Sequence, residues 1–338
     1  MNSNVSSLRS ASGVAVSPLT EIVLAVGPRR RTVEKKRIEM TGAHMLEQVA
    51  DGFTFLEGPR WHDGKLFVSD FYTGRVITVS DDGALEEVVK LDDRPSGMGW
   101  APDGSMLLVS MTEKKLLRVR DQEVSVHADL SSLASGFLND MVVDAEGRAY
   151  VGHFGFNLFE REDYRTASVI VVHPDGSAQT GAEDMHFPNG SMITPDGSTL
   201  IVNESYGNRI SKFEIMPDGM LGARQDFAMF GDAPTTSDLS QLQRVRKAAP
   251  DGGCLDAEGA VWFADAAGSR LVRVAEGGEL LQEIAWGGGG LFACMLGGAD
   301  GRTLYACGAP DSNARKRAAE KAAVLLSVRV DVPHAGRP

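Results

Sequence analysis

Five polar residues recur at one offset in a repeated unit: Glu57, Ser96, Asn139, Asn189 and Asp251. Each stands eight positions before a repeat glycine, or seven in the first unit, where the turn is shorter; Ala293 holds the place in a degenerate sixth unit. Two carboxylates and two carboxamides brought together repel unless a cation compensates them. Oxygen donors of this kind suit Ca²⁺ and, less well, Mg²⁺ or Mn²⁺, whereas zinc prefers imidazole or thiolate. Taken singly, Asn189-Gly190 and Asp251-Gly252 also read as ordinary turn dipeptides. Glu57 before Gly58-Pro59 does not, because Glu is a poor turn former, and the coincidence of three such residues at one offset favours a site for one divalent cation.

Such convergence needs a scaffold that repeats. The stretch from Ala249 to Val274 sets the pattern: a small-residue turn, a short apolar run ending in Asp256-Ala257-Glu258-Gly259, then Val261-Trp262-Phe263 and Leu271-Val272-Arg273-Val274. The same grammar recurs around Gly64, Gly104, Gly147, Gly197 and Gly301, at intervals of 40, 43, 50, 62 and 42 residues. Four short strands of a propeller blade need about 40–50 residues. The expected fold is therefore all-β, a six-bladed β-propeller of four-stranded antiparallel blades. Closure removes exposed edges, and the segment from His44 to Ala50 is expected to pair with Ala323–Val330 in the last blade. Innermost strands line the channel, so equivalent positions in separate blades meet at one height. The long intervals mark insertions near 155–167 and 231–250, expected as lids over one mouth, with a short capped helix from Asp238 to Val245.

The chain carries 34 basic and 46 acidic residues, a net charge of −12. Residues 1–40 hold seven Lys or Arg against three Glu, which leaves the remainder 27 against 43, a net of −16. So acidic a body repels phosphate backbones, and no nucleic-acid partner is expected. The apolar run Ile22–Val26 is too short to span a membrane and precedes its charges, unlike a signal peptide. Residues 1–40 read as a disordered extension or an overlong start, with Met40 or Met45 as other starts and a basic targeting arm as an alternative; the propeller is assigned to 41–338. Cys254, Cys294 and Cys307 lie in apolar runs without metal-type spacing, so reduced buried thiols in a cytoplasmic protein, monomeric or weakly self-associating, are expected.

Other columns call for structural readings. Asp70, Glu204 and Asp265 follow second strands, each with an arginine five residues on (Arg75, Arg209, Arg270), a pairing suited to scaffold work. Trp61, Trp100 and Trp262 read as core. His153 is carried as a residue near the substrate, with a buried structural role as its other reading, and His186 as a further neighbour.

Glu57-Gly58-Pro59, Asn139-Asp140, Pro188-Asn189-Gly190 and Pro250-Asp251-Gly252, with the DxxG repeats, resemble the senescence marker protein/gluconolactonase (regucalcin-like) family over roughly residues 46 to 330. The resemblance implies that Glu57, Asn189 and Asp251 bind a divalent cation, calcium or zinc. It also implies that Asn139 is a further ligand or substrate-contacting amide and that Asp251 is the acid/base residue; Ser96, from the same repeat column, and Phe137 are expected at the substrate. Members acting on sugar lactones often carry Arg two residues before the equivalent of Asn139. Here that residue is Phe137, which points to a less polar lactone. Asn203-Glu204-Ser205-Tyr206 is similar to the branch grading towards strictosidine-synthase-like propellers.

The expected chemistry is metal-assisted opening of a lactone or ester by water, with Asp251 or a cation-acidified water as the base. No GxSxG elbow appears, which disfavours a covalent route. Phosphotriester hydrolysis and ligand binding without turnover are the alternatives, since fold alone does not give function.

Overall fold

The computed structural model describes residues 45–80 and 83–336; the basic segment 1–40 lies outside the described residues. Six four-stranded antiparallel sheets follow one another along the chain. The first blade runs through Leu56–His62, Lys65–Asp70, Arg75–Val79 and Leu85–Lys90. The last combines Gly290–Gly297, Thr303–Ala309 and Ala323–Arg329 with the chain's earliest described strand, Glu47–Phe53. Glu47 opposes Ser327 and Phe53 opposes Ala323, so strands from the two ends of the propeller close the ring.

The repeat grammar has a local cause. The six repeat glycines sit just past the innermost strands with φ between 73° and 82°, a left-handed turn that glycine adopts without steric cost. In two of the six an aspartate three residues earlier holds the turn: Asp256 Oδ1 accepts the amides of Glu258 and Ala260, and Asp144 Oδ1 those of Glu146 and Arg148. Innermost strands such as Pro188–Ile193 and Pro250–Leu255 are buried throughout, whereas the outermost strand Glu123–Asp129 is mostly exposed. Apolar faces of neighbouring blades pack between them, with Trp262 fully buried.

Two tryptophans differ from the core expectation. Trp61 and Trp100 are only half-buried, because they lie at the far ends of the innermost strands and line a cavity of about 510 Å³ at that mouth. Trp100 stacks there on His62, with ring centroids 3.8 Å apart. All three cysteines are free and buried. No helix among the described residues is long and apolar enough to cross a membrane.

Candidate active site

Each innermost strand loses register with its neighbour at the position that carries the polar column. The irregularities fall between Glu57 and Arg60, Pro188 and Ser191, and Pro250 and Gly253, with counterparts at Ser96 and Asn139. A bulge at that point re-aims the side chain away from the sheet and along the channel mouth. The glycines that follow the column serve close approach rather than turns. A Cβ on Gly190 would lie 2.5 Å from the Gly253 backbone nitrogen, and one on Gly252 would collide with Ala293 Cβ. Asn189-Gly190 and Asp251-Gly252 therefore lie inside strands, and their glycines let adjacent blades crowd together at the axis.

That crowding gathers Glu57, Asn139, Asn189 and Asp251 at the floor of one cavity of about 730 Å³. Asn189 Nδ2 donates to Asp251 Oδ1 and to Ser205 Oγ. Asn139 Nδ2 donates to the Pro188 carbonyl at 3.2 Å, tying the third blade to the fourth. Asn203 Nδ2 donates to the Asp251 carbonyl at 2.6 Å, and Ser205 Oγ to the Pro250 carbonyl at 2.8 Å. These two side chains fix the strand that presents Asp251.

The scaffold column proves to brace the same residues. Asp70 pairs with Arg75 at 3.3 Å, Glu204 with Arg209 at 2.7 Å and Asp265 with Arg270 at 3.0 Å. Each acid also accepts backbone amides from the segment that leads into a floor residue. Asp70 Oδ1 takes Thr54 and Phe55, Glu204 Oε2 takes His186, and Asp265 Oδ1 takes Ala249.

Neither Glu57 nor Asp251 is ion-paired with a cationic side chain among the described residues. The Glu57 carboxyl is pushed well above the ordinary range, first by loss of water, then by the nearby carboxylates of Asp251 and Asp140. Asp251 is likewise raised by burial, with Arg246 pulling the other way and Asp140 adding to the rise. Two uncompensated carboxyls beside two carboxamides form an all-oxygen donor set that fits a hard divalent cation. Among the described residues no three His, Cys, Asp or Glu side chains gather at metal-binding spacing, so a cation here would depend on the amides of Asn189 and Asn139.

Three residues expected at the substrate do not line this cavity. Ser96 is buried beside it, its carbonyl accepting Ser69 Oγ at 2.7 Å. Phe137 packs behind the wall, 5.7 Å from Phe159 and 6.3 Å from Phe154 between ring centroids. His153 is 2 % exposed; Gly155 N–H donates to its Nδ1, and its Nε2 meets Ser168 Oγ at 2.9 Å. Burial, reinforced by Lys114, lowers its pKa to about 4. His186 also lies outside the lining, with Nδ1 bonded to the Tyr164 hydroxyl at 2.6 Å.

The wall above the floor is aromatic. Phe55 meets Phe292 at 4.8 Å, Phe154 stacks on Phe187 at 4.5 Å, and Phe187 meets Tyr206 edge-on at 5.2 Å. Residues 155–167 supply Leu158, Phe159 and Arg161 to the lining. Residues 231–250 supply Leu239, Gln243, Arg246 and Ala249. Leu239, Gln243 and Arg246 come from a helix, α1 (Leu239–Val245), and its C-terminal cap; Asp238 caps the other end by accepting the amides of Ser240 and Gln241. The two segments are linked where Tyr164 N–H donates to the Ser237 carbonyl at 2.8 Å. A second short helix, α2 (Ala314–Ala319), begins at the rim, where Asn313 accepts the Lys316 amide.

The structure is thus a six-bladed propeller with a cavity at one mouth whose floor carries oxygen donors. The chain belongs to the SMP-30/gluconolactonase/LRE-like family, whose pattern matches residues 55–309. It is 23% identical to a 6-deoxy-6-sulfogluconolactonase of Pseudomonas putida over 83% of this chain and 93% of that one. It is 24% identical to regucalcin of Gallus gallus over 79% and 87%. The fold superposes on a calcium-binding protein, regucalcin, from Agrobacterium tumefaciens with a TM-score of 0.69, 18% identity and coverage of 88% and 97%.

Proposed function

We propose that this protein is a divalent-metal-dependent lactonase acting on a lactone less polar than a sugar lactone. The observation that carries the reading is the floor itself: Glu57 and Asp251, both driven towards protonation by burial, stand with Asn139 and Asn189 beneath an aromatic wall. Glu57, Asn189 and Asp251 would hold the cation, with Asn139 as a further ligand or a substrate contact; calcium suits these oxygens best, with Zn²⁺, Mg²⁺ or Mn²⁺ as alternatives. When bound, such a cation supplies Lewis acidity to an acyl oxygen.

The chain's own groups do the rest. Asp251 Oδ1 accepts the Asn189 amide and would be the oxygen that also holds the cation, which leaves Oδ2 to take a proton from the attacking water. The water oxygen adds to the acyl carbon, the ring C–O bond breaks, and Asp251 returns the proton to the departing ring oxygen. Lactone plus water thus yields one hydroxy acid. Asn203 and Ser205 hold Asp251 in place, and the aromatic wall excludes bulk water and seats an apolar body. The aromatic rings of that wall seat an apolar body, while the polar groups of the lining stand at the floor and the rim.

A panel of aliphatic, aromatic and sugar lactones, with a phosphotriester alongside, each assayed with several divalent metals, tests the reading. Faster turnover of apolar lactones, lost on chelation, is expected. Turnover unaffected by chelation, or confined to the phosphotriester, would refute it.

A further inference from the structure

Most arginines of the blades are matched to carboxylates, as in Arg148 with Asp144 at 2.5 Å and Arg273 with Asp256 at 2.6 Å, while Arg302 donates to the Asp331 carbonyl instead. Around the cavity they are not. Arg161, Arg246 and Arg315 line it, and none has a carboxylate partner among the described residues. Arg94 stands just outside, its guanidinium carbon 5.1 Å from the Tyr72 ring centre and 4.8 Å from that of Phe159, two rings that line the cavity, and it too lacks a carboxylate. The charged lining is thus three guanidinium groups against Glu57 and Asp251, in a chain whose overall charge is −12.

Arg246 is the innermost of these by its chemistry. It is half-buried, its guanidinium carbon lies 5.2 Å from the Tyr206 ring centre, and its Nε is buried with no hydrogen-bond partner. A buried guanidinium donor left open is costly unless something completes it. Arg246 stands at the C-terminal cap of α1, where the helix dipole favours a cation and the helix end holds its backbone in place.

We infer that the cavity takes an anionic substrate, with a carboxylate or similar oxyanion on the apolar body seated against the Arg246 guanidinium, and with Arg161 and Arg315 drawing it in from the rim. A planar oxyanion accepts paired N–H donors from a guanidinium at strength well above a neutral contact. Cationic residues around a mouth also speed the approach of anions from solution. The inference rests on the lactonase reading only for the identity of the reacting group; the anion site itself is a binding claim.

Binding therefore tests it without turnover. The full chain, loaded with calcium, is titrated calorimetrically with 3-phenylpropionate and with its neutral amide, 3-phenylpropionamide. The acid is expected to bind about tenfold more tightly than the amide, and Arg246→Gln to weaken the acid by about tenfold while moving the amide less than about twofold. Equal affinities for acid and amide in the wild type overturn the proposal. So does an acid affinity unchanged by Arg246→Gln, which would place the carboxylate on the floor cation instead. If Arg246→Gln melts early, Arg246→Lys and the exposed pair Arg161→Gln/Arg315→Gln carry the test, with intermediate losses expected for the acid alone. Assaying an apolar lactone with and without a pendant carboxylate separates the two claims. Selective acid binding with neither lactone opened retains the anion site and removes the lactonase reading.

Discussion

Arg60 Nη2 lies 2.6 Å from Asp140 Oδ1, an ion pair between the first and third blades with both side chains almost wholly buried. Arg60 also donates to the carbonyls of Pro59 at 2.8 Å and Met141 at 2.7 Å, so one guanidinium stitches the innermost strands below the site. The Asp140 carboxylate contributes to the raised pKa of both Glu57 and Asp251, which places its field at the cavity floor. The channel thus carries its own internal cation beneath a set of oxygens that lacks one.

Breaking this pair from one side should cost far more than removing it whole. Asp140→Asn leaves a buried guanidinium uncompensated and is expected to destabilise the propeller by about 3–5 kcal/mol. Arg60→Met/Asp140→Leu should cost less than Asp140→Asn alone, because no buried charge is stranded. Denaturant unfolding of the two variants gives the comparison. A double variant less stable than Asp140→Asn would contradict it.

Asp265 should matter through the segment it braces. Asp265→Ala leaves the buried amide of Ala249 without its acceptor, two residues before Asp251, and should cost about 1–3 kcal/mol. Asp265→Asn keeps an acceptor oxygen and loses only the charge facing Arg270, so it should cost less. Unfolding midpoints rank the pair, and an equal loss would show that the ion pair rather than the amide bond matters.

His153 makes an acid-sensitive contribution. Its folded pKa is lowered to about 4 by burial and by Lys114, against an ordinary value of about 6.5, so the unfolded chain binds the extra proton first as pH falls. The stability tied to neutral His153 is complete above about pH 6.5 and is lost progressively towards about pH 4, a difference on the order of 3 kcal/mol. The Gly155 amide donates to Nδ1 and the Ser168 amide to Nε2, so a doubly protonated ring faces a backbone donor at each nitrogen. Melting temperature followed across that window should fall more steeply for the wild type than for His153→Phe. Parallel curves would remove this role.

Much of the fold was legible because its determinants are local. The Asp-x-x-Gly turn needs an acceptor at one residue and a left-handed φ three residues later, and both are visible at Asp256 and Gly259. The convergence of Glu57, Asn139, Asn189 and Asp251 was legible from one offset because the bulge that aims them repeats in their blades. The offset does not fix where each side chain ends. Ser96 shares it yet does not line the cavity, and Phe137 packs behind Phe154 and Phe159. The aromatic wall draws on several kinds of position, with Phe292 on an innermost strand, Phe154 and Tyr206 just past second strands and Phe55 and Phe187 between blades, and Arg246 comes from an insertion that follows no repeat. Asn203 and Ser205 left a faint mark, polar residues at the end of the apolar run Leu200–Val202, but their bonds to the Asp251 strand span more than 40 residues. Trp61 and Trp100 resemble Trp262 in sequence, yet they lie at the opposite mouth.

Calcium titration of chelator-treated protein by calorimetry bears most directly on the proposed floor. One ion per chain is expected for the wild type, with binding abolished in Asp251→Ala and strongly weakened in Glu57→Gln, while both variants remain folded. Wild-type protein that binds no divalent cation, or an Asp251→Ala variant that binds it undiminished, would contradict the account.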